Sequence, residues 1–228
     1  MLLECIDSPE CSFFVLNGCS IELVLAMARL AKLAAIYEKT RQMEWTIFDR
    51  TPVDQAIAEV KSFVNKEDVT LNDIGLSEDD PDAKRDRFHC IEAWRHAILL
   101  YTCRVFTRRQ DPGGLRMIGY LARVTLDHVR CISRRSFIQK QVLLPVFLAG
   151  SEVGDEQDRS LIREYCRHWS AAARFYMFES TRFLLEDIWK DWDPSTRDSY
   201  WWGLKVGGSN AQRTNGEVND LATQVLLG

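Results

Sequence analysis

The chain has 228 residues, of which 46% are hydrophobic and 27% charged, with a formal net charge of −4 and a pI of about 5.7. That length and balance suit one large domain or two small ones with a sizeable core, and they exclude wholesale disorder. The acidic balance, with no concentrated basic run, argues against direct nucleic-acid binding by this chain, because duplex affinity comes mainly from Lys and Arg neutralising phosphates.

The opening stretch, MLLECIDSPECSFF, carries acids early and has no basic flank, so it is not read as a secretory signal. No apolar run reaches 18 residues, so no membrane span is expected. The expectation is an intracellular protein, nuclear or cytoplasmic. Seven cysteines stand at 5, 11, 19, 90, 103, 131 and 166 without any C-x-x-C pair. They read as reduced thiols packed as small hydrophobes.

Helical periodicity dominates in chain order, and strand patterns are absent. Ser20 is placed to cap a helix over IELVLAMARLAKLAAIYEKTRQ, with Leu23, Val24, Met27, Leu30, Ala31, Ala34 and Tyr37 inward. Thr51-Pro52-Val53-Asp54 predicts a second helix to about Val64, the Thr51 hydroxyl capping it and Pro52 in its first position. Ala56, Ile57, Val60 and Phe63 form its inner face. A polar, acidic loop follows over about 65–84.

Residues 83–109 form the most informative predicted helix, because Ala97 to Phe106 is apolar nearly all round and so belongs in the middle of the protein. Asp111-Pro112-Gly113-Gly114 ends it. A fourth helix is predicted over 115–134, with Ile118, Leu121, Val124 or Thr125, Val129 and Ile132 inward and Arg116, Arg123 and Arg130 on its polar side. A fifth covers 137–153, where Pro145 imposes a kink or a start. Residues 155–192 would span about 55 Å as one helix, which favours a break. The tail 194–228 carries Trp201-Trp202. The whole reads as an all-α, irregular bundle of about seven to nine helices in a single domain.

Three stretches and a fourth element resemble a known family. They are Leu16-Asn17-Gly18-Cys19-Ser20 before a Leu/Ala-rich helix; Glu92-Ala93-Trp94-Arg95-His96-Ala97-Ile98-Leu99-Leu100-Tyr101; Leu143-Leu144-Pro145-Val146-Phe147-Leu148-Ala149-Gly150 ahead of Arg159; and the Leu-Leu-Glu-x-x-Trp pattern from Leu184 to Trp189. Their order resembles the regulatory domain that follows the binuclear zinc cluster in fungal zinc-cluster transcription factors, over about 16–192. The resemblance implies an all-helical regulatory domain, often dimeric and nuclear, that in some members opens a pocket for a hydrophobic small molecule. The family's zinc-binding cysteine cluster is not in this sequence, so the chain is expected to be either a fragment or a stand-alone protein that lost its DNA module.

Trp94, Tyr101, Trp169 and Tyr176 are rings with polar handles on apolar helices, and with Arg104 they are the candidate ligand-binding residues. Arg95 and Arg104 must either pair with structural acids or anchor an anionic ligand group. Trp189-Trp192 and Trp201-Trp202 suit an interface or packing of the tail. His89, Glu92 and His96 invite a metal reading, but the histidines lie about 10 Å apart along a helix axis, so no metal and no cofactor is expected. Gly150-Ser151-Glu152-Val153-Gly154 is not a nucleophile elbow, and no phosphate or dinucleotide loop occurs. The expected function is a regulatory domain that binds a hydrophobic small molecule or a protein partner, a second copy included. The alternative is a stand-alone cyclase or pericyclase that shapes a terpenoid or polyketide by orientation alone.

Overall fold

The computed structural model describes residues 18–41, 43, 45–63, 81–106, 112–173 and 176–191. Every regular element among them is helical: α1 (Ile21–Arg41), α2 (Thr51–Ser62), α3 (Pro81–Phe106), α4 (Pro112–Cys131), a short 3-10 helix (Phe137–Val142), α5 (Leu143–Gly150), α6 (Glu156–Ala173) and α7 (Tyr176–Lys190). The all-α expectation therefore holds. The expected loop over 65–84 lies mostly outside the described residues, although its last four residues form the first turn of α3. The tail 194–228 and the tryptophans at 192, 201 and 202 lie outside them entirely.

Ser20 does cap α1: its Oγ accepts from the Leu23 amide at 3.4 Å and its carbonyl accepts from Val24 at 3.2 Å. Just before it, Gly18 has φ +63°, the left-handed region that glycine enters without penalty. Its carbonyl accepts a hydrogen bond from the Cys90 thiol at 2.9 Å, which clips the start of α1 to α3. A side chain at position 18 would run into Gln141, whose Cβ would be 2.6 Å away.

Thr51 opens α2, but its hydroxyl does not cap it. The capping oxygen comes from Asp49, whose Oδ1 accepts from the Thr51 amide at 2.9 Å, and that bond holds the Asp49 carboxyl below its ordinary range. Arg50 donates to the carbonyl of Phe106 at 2.9 Å, placing a cation on the C-terminal end of α3. On α1 the buried stripe is Leu23, Ala26 and Leu30. Ala31, expected inward, is exposed because α1 covers its neighbours from one side only.

α3 is the axle. One side of it packs with α4, the 3-10 helix, α5, α6 and α7 around Ala93, Ala97, Leu100, Ala122, Leu126, Phe147, Ile162 and Leu185. Its other side, through Ile91, Ile98 and Phe106, closes a smaller cluster with Leu23, Leu30, Val53 and Val60 of α1 and α2. Met27, Trp94, Leu99 and Tyr101 pack against both clusters and so mark the seam between them.

Pro145 occupies the third residue of α5, where an amide has no partner inside the helix. The sequence allowed a kink or a start at that proline, and the chain uses a start, preceded by a 3-10 turn. α5 is almost wholly buried. Gly150 is its last residue, and a Cβ there would approach Ile162 and Leu185 at 3.1–3.3 Å. Among the described residues the 155–192 stretch holds two helices, α6 ending at Ala173 and α7 starting at Tyr176.

Candidate functional site

The family-like motifs meet around the end of α5. The indole of Trp189 donates to the Gly150 carbonyl at 2.8 Å. Arg159 and Arg163 lie over the Trp189 ring at 5.3 and 5.0 Å, and Arg159 Nε also donates to the Val153 carbonyl at 3.3 Å. Arg163 then bonds Glu186 at 2.6 and 3.1 Å. The glycine, the arginine and the tryptophan of the motifs thus form one structural knot that ties α5, α6 and α7.

The five candidate ligand-binding residues do not all gather in one place. Trp169 is only 3% exposed, and its indole is spent on the Gln139 side chain at 3.0 Å. Gln139 in turn donates to Ile132 O at 3.1 Å and accepts from the Tyr165 hydroxyl at 3.0 Å. Tyr176, the first residue of α7, is 87% exposed. Arg104 is buried and its Nε lies 3.0 Å from Glu152 Oε1 in an ion pair, although that N–H is not aimed along a hydrogen bond. Of the two fates open to a buried arginine, this is pairing with a structural acid.

Trp94 and Tyr101, seven residues apart on α3, share the seam between the two clusters. Burial pushes the Tyr101 phenol above its ordinary pKa. The indole nitrogen of Trp94 is shielded from solvent and has no hydrogen-bond acceptor among the described residues. A shielded, unsatisfied donor of this kind costs about 1–3 kcal/mol, so it calls for a reason.

Of the predicted arginine stripe, Arg130 pairs with Asp127 at 2.7 Å and also reaches Asp158 on α6. Arg134 pairs with Glu164 at 2.6 Å. Arg116 and Arg123 are exposed. A pocket of about 160 Å³ opens beside Arg130, Arg134, Leu161 and Tyr165, which is below the roughly 300 Å³ at which small-molecule sites begin.

One cluster escaped the sequence reading. His128, on α4, sits between the two histidines of α3, with ring centroids 5.2 Å from His89 and 5.3 Å from His96. Its Nδ1 is 2.9 Å from His89 Nδ1, and the His96 ring stacks on it at 22°. Burial and the neighbouring imidazoles hold His128 down at about 4. Arg95, on the same face of α3, is bonded to the Glu92 carboxylate. The five described cysteines (19, 90, 103, 131 and 166) are not joined in disulfides, and burial raises Cys90 and takes Cys166 to about 12. No described helix is long and apolar enough to cross a membrane.

Set against known families, the chain matches the model described as fungal specific transcription factor domain over residues 4–207. No curated protein and no solved structure matches it.

Proposed function

The chain belongs to the fungal specific transcription factor domain family, and from that premise we propose that it is an effector-responsive regulatory unit that takes an apolar small molecule at the α3 seam. Promoter choice then falls to a basic DNA-binding module, on this chain or on a partner, because the acidic balance here suits no direct contact with phosphates. The place of action in this reading is the nucleus.

The observation that carries the proposal is the unsatisfied indole of Trp94. A ligand with an apolar body and one hydrogen-bond acceptor suits that donor, with Tyr101 two turns along the same helix as a second contact. The effector reaches this face when the α1–α2 layer lifts. Its binding then favours the lifted arrangement by its differential affinity for the two states. A surface altered by that movement is what a partner or a second copy would read.

Native mass spectrometry of the purified chain, followed by solvent extraction, tests the proposal. The expected result is one apolar molecule per chain, held about five- to tenfold less tightly by W94F, as the loss of one neutral hydrogen bond predicts. W169F is the control, since that indole is already bonded to Gln139. A ligand-free chain that assembles with a protein instead defeats the small-molecule reading and moves regulation to a protein interface.

A further inference from the structure

We propose that Glu92, His96 and His128 form a binding site for a divalent transition-metal ion of zinc-like softness, which pins α3 to α4. One ligand atom from each of the three lies within 4.8 Å of the others. Ligands about 2.0–2.2 Å from a tetrahedral ion sit roughly 3.3–3.5 Å from one another, so closure needs shifts of about an ångström, within the reach of a side-chain rotation.

Sequence spacing alone argued against a metal, because His89 and His96 are two helical turns apart. That argument holds for those two residues, and the site does not ask both of them to bind. His128 supplies the second imidazole from the neighbouring helix, and Glu92 lies one turn before His96. All three side chains are half-buried, so an ion can reach them and yet be largely shielded.

The surrounding hydrogen bonds are those that orient metal ligands. His96 Nδ1 lies 2.8 Å from the main-chain carbonyl of Glu92, which requires the proton on Nδ1 and leaves Nε2 basic. His128 Nδ1 faces His89 Nδ1, so a proton held by His128 on that nitrogen is accepted by His89 and again leaves Nε2 basic. Both contacts of Arg95 fall on Oε2 of Glu92, which steers the carboxylate toward His96, whose Nδ1 lies 3.7 Å from the same oxygen. Two imidazole nitrogens and one carboxylate oxygen select Zn²⁺, Co²⁺, Ni²⁺ or Cu²⁺ over Mg²⁺ and Ca²⁺, which prefer oxygen alone. The fourth position falls to water. His89 is thus a positioning residue.

The test is titration of the chelator-stripped full chain with Co²⁺ and then Zn²⁺. The expected result is one ion per chain, visible cobalt bands of a tetrahedral nitrogen and oxygen site, and displacement by zinc. H96Q and H128Q should weaken zinc binding by about 100-fold or more, and H89Q by about tenfold as an outer-shell change. H168Q, an exposed histidine on α6, should bind as the parent does. Zinc should raise the melting temperature of the parent and not of H128Q. E92Q, which keeps the shape of the side chain, provides the same readout should a histidine variant fold poorly. Zinc affinity in H96Q and H128Q equal to that of the parent, a thiolate-to-cobalt charge-transfer band, or no stoichiometric uptake would each overturn the proposal.

Discussion

In the bundle, α5 is covered on every side, its end is gripped by the Trp189 indole, and charged side chains bridge α6 to α4 and α7. In the α1–α2 layer, the helices bury one stripe each, leave Ile21, Leu25 and Ile36 largely exposed, and hold to α3 through a thinner set of contacts. Those contacts include the Gly18–Cys90 clip, the Arg50 bond to Phe106 and the rings of Tyr37, Phe48 and Phe106 with centroids 5.1–6.0 Å apart. The two regions use the same residue types, so the difference lies in how many directions each helix is packed from. A helix packed from one side can open locally at less than the global cost, and that property is what an effector seam needs.

The largest expected effect lies in the bundle. Glu152→Ala leaves the Arg104 guanidinium buried without its countercharge, and should cost about 3–5 kcal/mol in urea or thermal unfolding. The double change R104M/E152L should recover most of that loss, since buried ion pairs are often replaced by apolar residues at little cost. A mild effect of Glu152→Ala alone would mean the bundle is looser than its packing implies.

A smaller effect, differently distributed, is expected in the layer. Gly18→Ala combines a left-handed backbone with a collision against Gln141, and should cost about 2–4 kcal/mol. Hydrogen exchange should quicken in α1 and α2 while α4 to α7 keep their protection. Uniform acceleration across all helices would erase the distinction between the regions.

The smallest effect is on acid stability. The Arg163 hydrogen bond holds the Glu186 carboxyl below its ordinary range. The stability it contributes is present above the ordinary carboxylate pKa and is lost as pH falls through the lowered one. R163Q should therefore flatten the acid limb of the stability curve between about pH 5 and pH 3. The difference should be under about 1 kcal/mol, because both side chains are partly exposed and screened. Urea midpoints measured across that range give the answer.

Much of the fold was readable from single helices. Ser20 as a cap and the apolar stretch of α3 each depend on residues within a few positions of one another. What depends on two helices meeting was not readable. His128 lies 39 residues from His89, and Glu152 lies 48 from Arg104. Periodicity gives the inward face of each helix but not its rotation and height against a neighbour, so neither pairing had a local signal. Tyr176 shows the limit from the other side. Its ring and polar handle made it a candidate for a pocket, but it stands 87% exposed as the first residue of α7.

The Arg104–Glu152 pair also bears on how this sequence can drift. Losing either member first should leave a folding defect where losing both should not, which would put an unfit intermediate on the route between a charged and an apolar version of this core. A lineage holding the pair is thereby held to it. Crossing requires a surplus of stability gathered elsewhere beforehand, which makes the order of mutations as consequential as their identity.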